Sequence, residues 1–250
     1  MSTNFPSSNF YTLTALDINM HQHTIEFNPA FLDRLSSRTL TGIKNAFERS
    51  ILVWKNGLCY IKISELNNLL RTSNSGAHNV YVRQGVNGYV SPSNSYEIDN
   101  ELYISGPDFS SLLDFRINSS YGDTHLYLKY VRTVYQSISS LSVFNELRTS
   151  FVHQIDSQRN QLKRQRIFSN NISQCEFSGH VFSQLSEVQF AHIESVTTSP
   201  LLALNINNGV IICNHIHANL TKEGIHDFAG MYEFCRTHNY STLWADNYVL

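Results

Sequence analysis

Three side chains in the last quarter of the chain have the types and the spacing for acid–base work on a hydrolysable bond. They are His192, Asn208 sixteen residues on, and His217 nine beyond that. An imidazole ionises near neutrality, so it can take a proton from water at pH 7, where an unperturbed Asp or Lys sits far from its pKa. Taken singly, each residue has a plain structural reading. A histidine at a strand end is usually a packed structural residue, and Asn207-Asn208-Gly209 is a good turn sequence. The chemical reading rests on all three falling in one short pattern.

That pattern requires particular elements around it. An apolar run ends in Ala191-His192-Ile193, and a polar loop with Ser199-Pro200 follows. A β-branched run, Asn208-Gly209-Val210-Ile211-Ile212-Cys213, then leads into a histidine-rich segment with helical spacing. Two strands and a helix are expected, with His192 at a strand end and His217 on the first helical turns, facing the hairpin.

The same stretch resembles the HNH nuclease finger. The resemblance lies in Cys175, Ser178-Gly179, Ala191-His192-Ile193, Asn208-Gly209, Cys213, His217, Leu220-Thr221 and Gly224-Ile225, in the order and spacing of one subgroup of that family. It implies a ββα-metal finger and phosphodiester hydrolysis. In that family the position of His192 is the general base, that of Asn208 orients the base and shapes the loop, and that of His217 binds a divalent metal, here Mg²⁺ or Mn²⁺. Two positions depart from the family. Ala191 stands where many members carry a second metal ligand before the base, and Thr221 stands where subgroup members carry Asp. His215, Asn219 and His226 are nearby candidates to complete the metal site. The paired C-x-x-C knuckles that hold zinc in many such fingers are reduced here to Cys175-Glu-Phe-Ser178 and Cys213-Asn-His-Ile216. Two thiols packed in an apolar core are therefore expected rather than a structural zinc at Cys175, Cys213 and His215.

Upstream, apolar residues recur every three or four positions from Val131 to Leu162, apart from one gap, so a long helix or two consecutive ones are expected, with a break at 137–142. Its basic end places Arg159, Lys163 and Arg166 on one face, since their offsets are four and three. They are candidate DNA-phosphate contacts just before the finger. Residues 169–174 read as a linker. Lys55-Asn56-Gly57 between apolar runs predicts a hairpin, Asn28-Pro29 a helix start, and Ser64 a cap for a short helix. Residues 1–24 read as a polar packing tail. The Asn/Ser/Tyr-rich span 73–110 predicts short strands, including Val80–Val82 and Leu102–Ile104, with Tyr81, Arg83, Gln84 and Asn87 as alternative base-reading side chains. The fold class is α+β: a mixed recognition or dimerisation region over 1–125, a helical connector over 126–170 and the nuclease domain over 171–250.

A net charge of −2 argues against a protein that coats nucleic acid and against an unspecific nuclease toxin, so DNA contact must be local. Four cysteines do not suggest a disulfide scaffold, and the N-terminal stretch has no signal-peptide pattern, so a cytoplasmic setting with no membrane association is expected. The expected function is a sequence-specific endonuclease of restriction-modification or antiviral-defence type. It would act on double-stranded DNA as a homodimer, in some settings beside a cognate methyltransferase. The alternatives are a non-catalytic nucleic-acid-binding or regulatory protein that keeps the finger as a scaffold, or a non-specific nuclease toxin, which the charge disfavours.

Overall fold

The structure, a computed structural model, describes residues 3–5, 7–72, 78–246 and 248. The side chains of residues 3–5, 7, 78, 79 and 159 lie outside what it describes. The chain is α+β and divides into two compact units, residues 1–151 and 152–250. No helix among the described residues is long and apolar enough to cross a membrane.

Unit one is built on a six-stranded sheet ordered β1-β5-β6-β4-β3-β2. Its strands are β1 (Thr3–Phe5), β2 (Phe10–Thr12), β3 (Ile51–Trp54), β4 (Cys59–Lys62), β5 (Tyr96–Ile98) and β6 (Glu101–Ser105). All pairs are antiparallel except β1 with β5. The β3–β4 hairpin turns at the expected Asn-Gly: Gly57 takes a left-handed φ of 73°, and the Asn56 side chain accepts from Leu58 N at 2.9 Å. The β5–β6 hairpin closes on Asp99 and Asn100, both at positive φ, as a two-residue turn with the strands' own twist requires.

The helices of this unit are α1 (Pro29–Leu32), α2 (Ser37–Ser50), α3 (Leu66–Leu69), α4 (Gly106–Asn118) and α5 (Gly122–Ser139), followed by the start of α6 (Ser142–Ser169). Phe47 of α2, Phe109 and Leu112 of α4, Val131, Val134 and Ile138 of α5 and Phe144 of α6 bury together as one core. Burying each such side chain is worth about 1.5–3 kcal/mol. Asn28 caps α1 by accepting from Ala30 N at 3.0 Å.

Several expectations change here. The N-terminal segment is not a tail, because β1 and β2 join the sheet and Leu13 and Met20 are fully buried. Ser64 caps nothing: it sits inside a 3₁₀ turn, Ile63–Glu65, that runs straight into α3. Val80–Val82 lie in a wide helical turn rather than a strand, whereas Leu102–Ile104 do fall in β6. Residues 73–77 are outside the described ones. The helical pair breaks between Ser139 and Ser142, inside the expected window. The division between units falls within α6, so residues 126–170 are not a body of their own.

Unit two contains the rest of α6, β7 (Val188–His192), β8 (Gly209–Cys213), α7 (Asn214–Lys222), α8 (Phe228–Thr237) and α9 (Leu243–Asp246). β7 and β8 form an antiparallel pair in which His192 lies opposite Gly209 and Val188 opposite Cys213. All five β8 residues are buried, which is why its sequence is continuously apolar rather than alternating. Its core gathers Cys175, Phe177, Val188, Ile193, Ile211, Ile216, Leu220, Met231, Phe234 and Trp244.

Candidate functional site

His192 ends β7, where the sheet gives way to the loop 193–208. Its ring is half-buried, and Nε2 lies 2.8 Å from the carbonyl oxygen of Ala203. A carbonyl only accepts, so Nε2 carries the proton, and in the neutral ring Nδ1 is the basic nitrogen. The ring also meets Phe190 edge to face, with centroids 5.1 Å apart. Phe190 can take that position only because residue 209 has no side chain: a Cβ on Gly209 would collide with the Phe190 ring.

Asn208 is completely buried and fastens the loop to itself. Its Oδ1 accepts from Glu194 N at 2.9 Å, and its Nδ2 donates to Glu194 O at 2.9 Å and Leu202 O at 3.3 Å. The reading of Asn207-Asn208-Gly209 as a simple surface turn therefore fails, since Gly209 already pairs in β8. Ala203, whose carbonyl accepts the His192 hydrogen bond, directly follows Leu202, so one amide sets the path of the carbonyl that orients the imidazole. The loop is also anchored to α8, where the Glu194 carboxylate accepts from Phe228 N at 3.1 Å. A carboxylate there is favoured by the positive end of the helix dipole.

His217 is half-buried on α7. It lines with His192 a cavity of about 430 Å³, together with Asn160, Lys163, Gln189 and Asn214. A second, smaller hollow of about 190 Å³ is walled by His192, His217, Ser195, Thr221 and His226. The two imidazoles thus border common open space, one from the hairpin and one from the helix.

Of the three basic residues expected on one face of α6, Lys163 borders this cavity. Its ammonium donates to Leu185 O at 3.0 Å and Val188 O at 3.1 Å, which fixes a positive charge at the wall. Arg166 does not share that role. It is 4% exposed, with Nη2 2.8 Å from Glu176 Oε1, so it cannot meet a phosphate at the surface. Glu176 in turn accepts from Ile211 N at 2.6 Å through its other oxygen. This pair ties α6 to β8. The Arg159 side chain lies outside the described ones. Among the alternative base-reading residues, Arg83, Gln84 and Asn87 are exposed on unit one, while Tyr81 packs partly against its core.

The donors near His217 are sparse. Ala191 is buried and offers no ligand atom, and the Thr221 hydroxyl donates to His217 O at 3.0 Å along the helix. His215 is exposed on α7, as is the side chain of Asn219. His226 reaches the small hollow, and its carbonyl accepts from Ser195 N at 3.0 Å. Among the described residues no group of three or more His, Cys, Asp and Glu side chains is gathered to hold an ion.

Sequence reasoning missed Lys163's backbone anchors, the Ala203 carbonyl and the Glu194 link, because main-chain partners leave no motif. Comparison of the chain with protein-family models, with curated proteins and with solved structures gives no match.

Proposed function

We propose that residues 152–250 form an HNH-type nuclease unit that hydrolyses phosphodiester bonds of double-stranded DNA. The observation that carries this reading is the His192 imidazole, its tautomer set by the Ala203 carbonyl, on the wall of a cavity that it shares with His217. Nδ1 of His192 takes the proton from the attacking water. Asn208 keeps the loop, and with it the Ala203 carbonyl, in place as the imidazolium forms. Lys163 holds a positive charge on the same wall for the phosphate. His217 would hold a divalent ion, Mg²⁺ or Mn²⁺, with His226 and the Ser195 hydroxyl in the adjoining hollow. When bound, that ion supplies charge stabilisation at the phosphate and at the leaving oxygen. Unit one would choose the target, and a palindromic target would call for a two-fold homodimer in which each unit cuts one strand. A restriction or phage-defence role, with or without a methyltransferase, is the biological form of this reading.

The decisive experiment incubates purified full-length protein with plasmid in Mg²⁺ or Mn²⁺, with EDTA as control. Discrete metal-dependent fragments are expected, and His192→Ala should abolish cutting while leaving the thermal melt and most DNA binding in place. Undiminished cutting by His192→Ala would remove that residue as the base.

One observation favours a second reading, a non-catalytic nucleic-acid-binding protein on the same scaffold. The two positions that would complete the metal site are a buried Ala191 and a Thr221 whose hydroxyl is bonded to its own helix. DNA binding by wild type without metal-dependent cleavage would establish it.

A further inference from the structure

We propose that Cys175 and Cys213 form a peroxide-sensitive dithiol that closes to an intramolecular disulfide. The pair stands apart from the chemistry of His192 and His217. Cys175 opens a tight knuckle in which its carbonyl accepts from Gly179 N at 2.9 Å and its N–H donates to His180 O at 2.8 Å. The knuckle turns on Gly179, held at a left-handed φ of 71°. It is clamped to β8 twice through Glu176, whose N–H donates to Ile211 O at 2.8 Å and whose carboxylate accepts from Ile211 N at 2.6 Å. That clamp brings the Cys175 sulfur within 3.4 Å of the N–H of Cys213, so the two cysteines are within side-chain reach. Ser178 serves both sulfurs: its N–H is 3.4 Å from Cys175 Sγ and its Oγ is 4.0 Å from Cys213 Sγ.

The two thiols are inequivalent. Burial pushes Cys175 up, but hydrogen bonds from the N–H groups of Ser178 and Cys213, each 3.4 Å from its sulfur, hold the thiol below its ordinary value. Burial and the neighbouring Cys175 sulfur raise Cys213. A thiolate is the form that reacts with peroxides, and Cys175, whose sulfur accepts from two N–H groups and which borders the open cavity, is the attacking sulfur and Cys213 the resolving one. Cys175, only 1% exposed, borders a cavity of about 290 Å³ with Asn171, Gln174, Gly179 and Trp244, the side from which hydrogen peroxide would approach.

The step balances. The Cys175 sulfur attacks one peroxide oxygen, the O–O bond breaks, and the departing hydroxide takes the thiol proton as the first water. The Cys213 sulfur then attacks the sulfenic sulfur, the S–O bond breaks, and hydroxide leaves with the Cys213 proton as the second water. Two thiols are oxidised by two electrons, and one peroxide is reduced to two waters. The new bond would tether the knuckle to the residue directly before α7, the helix that carries His217.

The other two cysteines are internal controls. Burial pushes Cys59, in unit one, up to about 12 and Cys235 up to about 11. The test treats the reduced full-length protein with hydrogen peroxide, blocks remaining thiols by alkylation, and maps peptides without reductant. The expected result is a single cross-link joining the Cys175 and Cys213 peptides, reversed by dithiothreitol, with Cys59 and Cys235 still alkylated. Cys213→Ala should leave Cys175 as a sulfenic acid that dimedone traps, and Cys175→Ser should leave Cys213 alkylatable after peroxide. An unchanged wild-type map, a cross-link to Cys235, or a bound zinc ion in native mass spectrometry that Cys175→Ser removes would each overturn the proposal. The wild-type map decides the matter even where a variant does not fold.

Discussion

Asn208 is a buried amide with both ends committed: one accepts the Glu194 N–H and the other donates to two carbonyls. Replacing it by Ala would strand those backbone groups inside the protein, at about 1–3 kcal/mol for each one left unsatisfied. Asn208→Ala should therefore lower the melting temperature markedly. Asn208→Asp should rescue little of the loss, since it keeps the acceptor but sets a carboxylate against the carbonyls of Glu194 and Leu202. An unchanged melt for Asn208→Ala would show that the loop does not depend on this amide. Arg166 and Lys163 lie three residues apart on one helix, and their chemistry separates them. Removing Arg166 leaves Glu176 uncompensated in a largely dry place, so Arg166→Met should cost about 3–5 kcal/mol of stability. Under the proposed function Lys163→Met should weaken DNA binding and reduce the salt dependence of log K by about 1, the mark of a lost phosphate contact. Titrations over a salt series together with denaturant melts check both. If Arg166→Met changed the salt slope and spared stability, the assignment of the two roles would be reversed.

Elements place these residues, and the β7–β8 pair does so through a contact between a ring and a glycine. Gly209→Ala would force its new methyl group into Phe190, and overpacking of this kind costs about 1–3 kcal/mol. Because Phe190 abuts His192, the same change should turn the imidazole away from Ala203. Pairing Gly209→Ala with Phe190→Leu should recover part of the loss, seen as a coupling energy of roughly 0.5–3 kcal/mol in a double-mutant cycle. Strict additivity would mean that the ring does not fill the space above Gly209. What the sequence revealed at this scale follows the range of the forces involved. The β3–β4 hairpin was legible because Asn56-Gly57 solves its turn locally, and the ββα order around His192 and His217 because a short β-branched run gives way to helical spacing. Val80–Val82 misled because three β-formers do not make a strand without a partner to pair with, and the sheet took Tyr96–Ile98 and Glu101–Ser105 instead. The spacing of Lys163 and Arg166 alone put them near one face of α6. It could not tell that Arg166 would be drawn inward, because Glu176 belongs to a different element and the pair forms only in the folded chain.

At the scale of the whole molecule, the described residues form two apolar clusters, one holding Phe47, Phe109 and Phe144 and the other holding Ile211, Ile216 and Phe234. The division falls at residues 151 and 152, inside α6. A fragment over residues 142–250 would keep that helix from its first residue and contain every member of the second cluster. Chains of that size can bury enough apolar surface to fold alone. The fragment is therefore expected to melt as one cooperative transition, with slow hydrogen exchange at the β7 and β8 amides that pair Val188 with Cys213 and Phe190 with Ile211. Under the proposed function it also keeps His192, Asn208, Lys163 and His217 but loses the part assigned to target choice. It should then cut plasmid slowly and without discrete bands, where the full chain gives defined fragments. The fragment's melt and its digestion pattern report different things. A cooperative melt with no cutting would place part of the chemistry in residues 1–141. A fragment that cuts with the same defined pattern as the full chain would move target choice into the C-terminal unit, leaving the sheet of unit one to some other task. An unfolded fragment would mean that the second cluster, for all its buried side chains, needs the first unit to form.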